Sequence, residues 1–297
     1  MTSAFVLSGG GSLGAVQVGM LQALHDRGIR PDLLVGTSVG AVNAAYVAGR
    51  GLSQDSLDDL ARIWTSMHRR DVFPIEPRRA VLALSGGRPS LFSADRLRHL
   101  VESQLTFDDL DTAAIPLSVV TTDLTSGRSV VLSHGDPVGA VLASAAIPGI
   151  LPPVSHDGRV LVDGGLADHA DLVRETGEEV DDIYLLPTGF ACALPAPPRS
   201  ALGSAAQALT LLIQQRLVQA VSRYRAPAVL HVLPALCPLR ISPADFRHGG
   251  ELIDRAHRAT AEWLASGGDD RPAPERFLSL HSHLAVDDAP VRRATAR

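Results

Sequence analysis

The sequence predicts an α/β fold built on a mainly parallel central sheet, and three observations carry that expectation. An apolar run, Ala4 to Leu7, passes straight into the glycine loop Gly9-Gly10-Gly11-Ser12-Leu13-Gly14. Apolar residues at helical spacing follow (Val16, Met20, Leu21, Leu24), closing at Gly28. A second apolar run, Leu33 to Val35, then leads through Gly36-Thr37-Ser38-Val39-Gly40 into a helix of small residues. Strand, loop, helix, strand, turn and helix in that order are the mark of parallel pairing, because parallel strands need a crossover between them.

The later elements continue the pattern. From Ser53 to about Leu105 the periodicity is helical, with Leu57, Leu60, Ile63 and Trp64 on one face and breakers at Pro74, Pro77 and Ser85-Gly86-Gly87. The sheet resumes with Pro116 to Asp123 and, after a Thr125–Arg128 turn, Ser129 to Leu132. Val138 to Ala146 reads as a small-residue helix. The Asp157-Gly158 turn brings in the strand Arg159 to Val162, which delivers Asp163-Gly164-Gly165. Strands at Ile183–Leu186 and Val229–Leu233 and helices at about Ala201–Tyr224 and Ala244–Leu264 complete a single domain over residues 1–266. Residues 267–297 are rich in Asp, Pro, Arg and Ala and are expected to form a loose tail.

Bulk properties exclude several function classes. With 45% hydrophobic and 20% charged residues, 297 residues can bury a substantial core. A net charge of −5 and a pI near 6.1 give no electrostatic footprint for nucleic acid. Mean hydropathy of +0.13 leaves room for exposed apolar surface. Cys192 and Cys237 form no zinc-finger spacing or disulfide framework and read as buried, reduced thiols. No basic leader opens the chain, and no apolar run approaches the ~20 residues of a transmembrane helix. The expectation is a cytoplasmic protein, peripheral at a membrane surface if its substrate is lipid. There is no HExxH, and His281-Ser282-His283 lies in the tail, so no metal is expected.

Three pieces can make one site. Gly9, Gly11 and Gly14 match the dinucleotide pattern G-x-G-x-x-G, but the ribose-binding acid expected at the end of the second strand is missing. Asp32 stands at the wrong end of that strand. The loop can instead aim backbone amides at an oxyanion. Ser38 sits in a G-x-S-x-G turn, where Gly36 and Gly40 allow the sharp reversal that exposes a nucleophile. Its plainer alternative is a helix N-cap. Asp163 ends a strand and could take a serine proton without a histidine, although Asp-Gly is also a common hairpin turn. His169 and His231 read as surface and structural residues respectively.

With these pieces in order, the chain resembles the patatin-like phospholipase family. Two further stretches share the resemblance, Pro116 to Gly127 and Ala143 to Val154. The resemblance spans roughly residues 4–190. It implies a three-layer α/β/α sandwich and a Ser38–Asp163 dyad without cofactor or metal. It also implies an oxyanion site from Gly9, Gly10, Gly11, Ser12 and Gly14, a nucleophile elbow bounded by Gly36 and Gly40, and a DGG motif completed by Gly164 and Gly165. The expected activity is hydrolysis of lipid acyl esters. The alternatives are acyl transfer to an alcohol other than water, and an inactive lipid- or partner-binding module. Three positions depart from the family pattern: Leu13, where family members often carry Arg or Lys, and His169 and Asp171 after the DGG. A lipid substrate implies transient contact with a membrane surface. The contacts to weigh are Leu82, Leu84, Leu91 and Phe92, and Leu211, Leu212 and Ile213, against a preferred reading of both groups as core packing.

Overall fold

The structure is a computed structural model that describes residues 1–74, 76–166, 179–189, 192, 194 and 196–274. Five strands run parallel: β1 (Ser3–Leu7), β2 (Leu33–Thr37), β3 (Leu117–Asp123), and two later ones, Asp182–Leu186 and Val229–Val232. Between β3 and that later pair come β4 (Ser129–Leu132), β5 (Val154–His156) and β6 (Arg159–Asp163), which makes the later pair β7 and β8. The sheet order is β5-β6-β3-β2-β1-β7-β8, with β4 also on β3. The two β1 neighbours, β2 and β7, lie on opposite sides of it. The loop leaving β1 therefore stands where the winding reverses, the position at which open α/β sheets form crevices.

Side chains alternate across the sheet as the pleat requires. Phe5, Leu7, Leu34 and Val119 face one layer, while Ala4, Val6, Val35 and Val120 face the other. Both sets are buried, which is why these strands read as continuous apolar runs rather than alternating ones. The first face carries α1 (Gly14–Asp26), α2 (Val39–Arg50), α3 (Gln54–Ser66) and the last long helix, Gly249–Ala265. That last helix packs along α1 more extensively than any other pair of elements. Short helices α4 (Arg69–Val72), α5 (Pro77–Leu84) and α6 (Asp95–Gln104) fill the region expected to be helical, and α7 (Pro137–Ser144) follows β4. The second face receives Leu217 and Val221 of α8 (Ala201–Arg223). The last helix is thus α9, and the layers are α/β/α as expected.

The antiparallel strands fix the site. One edge of β3 carries β4 along Val119–Thr122. The other edge therefore holds both β2, parallel as far as Val120, and β6, antiparallel from Thr121. The C-terminal ends of β2 and β6 meet head to head along one edge of one strand. Ser38 follows the first, and Asp163 closes the second.

Burial sorts the apolar residues weighed for membrane contact. Phe92 is half-buried against Phe73, with ring centroids 5.5 Å apart, so the packing reading holds for it. It fails for Leu82, Leu211 and Leu212, which are 46%, 42% and 61% exposed. Ile213 lines a cavity, and the Leu84 side chain lies outside the described residues. Among those residues no helix is long and apolar enough to cross a membrane.

Candidate active site

The elbow is built as its glycines demand. Ser38 has φ 55° and ψ −124°, a strained conformation for a residue with a side chain. A Cβ on Gly40 would run into the Leu7 carbonyl oxygen, so β1, β2 and α2 can close together only with glycine there. Ser38 makes no side-chain cap on α2, which removes the N-cap reading. Its backbone N–H instead donates to Ser144 Oγ at 2.8 Å, and Ser144 Oγ donates to the Val120 carbonyl at 2.6 Å. One buried hydroxyl on α7 thus pins the elbow to the edge of β3.

Asp163 lies opposite. It closes β6 and is followed by a 3-10 turn over Gly164–Leu166, not by a hairpin. The hairpin turn is one step earlier, at Asp157-Gly158, both with positive φ. Asp163 is buried, its main chain held by Asp163 N to Ala146 O (3.0 Å) and by Thr122 Oγ1 to Asp163 O (2.9 Å). Burial pushes its carboxyl up to about 6, against hydrogen bonds from the Ser38 hydroxyl and the Gly165 amide that favour the ionised form. The Gly165 bond measures 2.8 Å.

The glycine loop meets the same crevice. A Cβ on Gly9 would stand 3.1 Å from Ser38 Cβ, and one on Gly10 would collide with Thr188 Oγ1. Ser12, counted among the loop donors from sequence, directs its amide to Pro243 O at 2.8 Å. Leu13 N donates to Gly10 O, whereas the amides of Gly10 and Gly11 donate to nothing among the described residues. Leu13 is fully buried in the core, so this loop offers no cationic side chain. Gly14 opens α1 beneath the loop. Asp32 accepts from Ser3 N at the far end of the strands, away from the loop, as the missing ribose acid suggested.

Several supports were not legible as site residues. Thr188 Oγ1 donates to Gly9 O at 2.6 Å, and Thr188 N donates to Ser8 Oγ at 3.1 Å. Below the loop runs a buried chain: Trp64 Nε1 donates to Asn43 Oδ1, Asn43 Nδ2 to Gln17 Oε1, and Gln17 Nε2 to Ser8 O and Leu186 O. Gln17 and Asn43 are polar residues flanked by apolar ones in the buried parts of α1 and α2, the one sequence signal that could have flagged them. His231 is structural as expected. It is buried, hydrogen-bonded through Nε2 to Asp182 at 2.8 Å and stacked on Tyr184. His169, Asp171, His281 and His283 lie outside the described residues, as do tail positions 275–297.

Two cavities meet at Ser38. The larger, about 530 Å³, is lined by Gly9–Gly11, Asp163 and the α8 face that carries Ala206, Thr210 and Ile213. Arg69 is its one cation and Asp163 its one carboxylate among the described lining residues. The Arg69 guanidinium lies 5.5 Å from the Phe92 ring centroid. The smaller cavity, about 50 Å³, is apolar and runs between Val42, Trp64, Met67, Leu100 and Phe246. Among the described residues no three His, Cys, Asp or Glu side chains group closely enough to hold a metal ion.

Comparison with known proteins places the chain in a family. A family model described as patatin-like phospholipase matches residues 5–172. An uncharacterized NTE family protein of Mycobacterium tuberculosis is 31% identical over 179 residues, covering 60% of this chain and 46% of that protein. Human patatin-like phospholipase domain-containing protein 6 is 32% identical over 181 residues, covering 59% of this chain and 13% of that protein. The matched region is thus less than half the length of these relatives. Among solved structures, VipD from Legionella pneumophila aligns with a TM-score of 0.48 at 15% identity, covering 91% of this chain and 67% of that one.

Proposed function

Since this chain belongs to the patatin-like phospholipase family, we propose that it hydrolyses lipid acyl esters through Ser38 as nucleophile and Asp163 as general base. The observation that carries the reading is the meeting of the two strand ends. It sets a strained, buried serine at the mouth of two cavities beside a buried carboxyl raised to about 6, which the Ser38 hydroxyl pulls back toward the ionised form. Such a carboxyl is ionised at neutral pH yet basic enough to accept a proton in the transition state.

In the proposed cycle, Ser38 Oγ attacks the ester carbonyl carbon while Asp163 takes its proton. The tetrahedral oxyanion is met by the amides of Gly10 and Gly11, whose donors are uncommitted among the described residues. Collapse breaks the bond to the alcohol, and Asp163 returns the proton to the departing oxygen. Water then attacks the acyl-serine, with Asp163 again as base, releasing the fatty acid and restoring Ser38. An ester carbonyl at Ser38 divides the substrate between the two cavities, which suits a molecule with two dissimilar apolar arms. Contact with a membrane surface falls to the exposed Leu82 of α5 and Leu211 and Leu212 of α8.

Hydrolysis of p-nitrophenyl esters over a range of chain lengths tests the proposal, run on wild type beside Ser38→Ala and Asp163→Asn. Loss of activity in both folded variants is expected, together with fluorophosphonate labelling of wild type alone. Activity that survives Ser38→Ala would refute the assignment of the nucleophile.

A further inference from the structure

Away from Ser38 and Asp163, the fold brings two more reactive side chains together. The Sγ atoms of Cys192 and Cys237, 45 positions apart in the chain, are separated by 3.6 Å. Cys192 is half-buried and Cys237 is exposed, which corrects the expectation of two buried thiols. We propose that this pair is a dithiol site that closes into an intramolecular disulfide when it meets a peroxide or a small-molecule disulfide.

The location gives the pair its consequence. Cys192 lies just beyond Thr188 and Gly189, on the connector that supplies Leu194, Ala196 and Pro198 to the large cavity. Cys237 begins the stretch that supplies Ser242, Pro243 and Ala244 to the same cavity. Both stretches also hold the glycine loop. Thr188 binds Gly9 O, and Pro243 O and Ser242 O accept from Ser12 N and Ser12 Oγ. The Cys192 sulfur already faces the second stretch, accepting from Leu239 N at 3.3 Å. A bond between the two sulfurs ties together the two supports of Gly10 and Gly11.

The chemistry balances with hydrogen peroxide as oxidant. One thiolate attacks a peroxide oxygen, giving a sulfenic acid and releasing the other oxygen as water. The second thiolate then displaces the sulfenic oxygen as a second water, and the S–S bond forms. Two thiols lose two electrons and two protons, which the peroxide takes up. With oxidised glutathione the same bond forms through a mixed disulfide and releases two glutathione thiols. Partial desolvation at the chain surface and the neighbouring Cys192 push the Cys237 thiol up to about 11, so closure is expected to be faster in mild alkali than at neutral pH.

The effect on catalysis rests on the function proposed above, whereas the thiol chemistry does not. The test uses the full chain, reduced and then treated with oxidised glutathione or hydrogen peroxide at mildly alkaline pH. Expected are a fall from two titratable thiols to none and an intact mass lower by two hydrogen atoms. Tm should rise by about 5 °C or more from closing so long a loop. All three should revert with dithiothreitol and be absent in Cys192→Ser and in Cys237→Ser. Ester kcat/KM should differ between the oxidised and reduced wild type by about threefold or more, a change of about 0.65 kcal/mol or more in barrier, and should respond to neither reagent in the serine variants. A stable glutathione adduct, a covalent dimer or two persisting thiols would overturn the dithiol. An intramolecular disulfide that leaves kcat/KM unchanged would overturn the coupling to the cavity. A disulfide formed in a protein that hydrolyses no ester would uphold the dithiol and count against the proposed function alone.

Discussion

Asp163→Asn should abolish hydrolysis and make the protein more stable. Burial raises this carboxyl from 3.8 to about 6, so ionising it costs more in the folded chain than in the unfolded one. For an acid whose folded pKa is raised, stability is fullest below the unfolded pKa and is lost as pH climbs through the folded one. At about 1.4 kcal/mol per pKa unit, the ionised group works against folding by about 1.6 kcal/mol near pH 5 and about 3 kcal/mol near pH 7.5. Asparagine removes the charge and can still accept from the Gly165 amide through its Oδ1. Urea unfolding of both proteins at the two pH values isolates this term, because the carboxylates shifted the other way, such as Asp26 and Asp245, cancel in the difference. The variant should be the more stable one, by a margin that grows by about 1.4 kcal/mol between those pH values. In wild type, kcat/KM should rise with pH through about 6 as the base ionises. A variant less stable than wild type at neutral pH, or a margin that ignores pH, would refute the reasoning.

Other positions give separate tests. Ser144→Ala strips the Ser38 amide and the Val120 carbonyl of their shared partner, which should cost about 1–3 kcal/mol in urea unfolding and lower kcat more than it changes KM. Gly10→Ala drives a methyl onto Thr188 Oγ1 and should displace the loop donors, lowering kcat by about 10²–10³ as loss of an oxyanion donor does. Arg69→Gln removes the cation that the described residues give the large cavity. It should reduce kcat/KM for an ester with an anionic alcohol arm about fivefold relative to a matched neutral ester, with the ratio falling as salt is added. Leu212→Asp should weaken co-sedimentation with phospholipid vesicles by about tenfold or more, since it puts a charge on the exposed apolar face of α8.

What the sequence revealed of the site, and what it hid, divides along a physical line. Gly36, Gly40 and the glycine loop were legible because only glycine tolerates that approach of backbone to backbone, and the need shows as residue type. Asp163 was legible because it ends a strand that a turn signal announces. Ser144, Thr188 and Pro243 were not, since each acts through hydrogen bonds made possible by tertiary placement, and serine, threonine and proline occur everywhere. The head-to-head meeting of β2 and β6 was equally hidden. Nothing in Val120 or Thr121 says that β3 changes partner between them. The exposure of Leu211 and Leu212 ran against their hydropathy, because the inward face of α8 at that level is spent on the cavity through Thr210 and Ile213 rather than on the core.

That change of partner along β3 also bears on when the protein becomes competent during folding. Ser38 follows a local unit of loop, helix and strand, whereas Asp163 takes its place only through the long-range pairing of the β5–β6 hairpin with the end of β3. Without that pairing Ser38 has no carboxyl beside it and the ladder beyond Val120 lacks its second edge. On the proposed mechanism, ester hydrolysis during refolding should therefore appear only with long-range closure of the sheet. An activity stop-clock during refolding would read the docking of that hairpin, not the formation of the elbow.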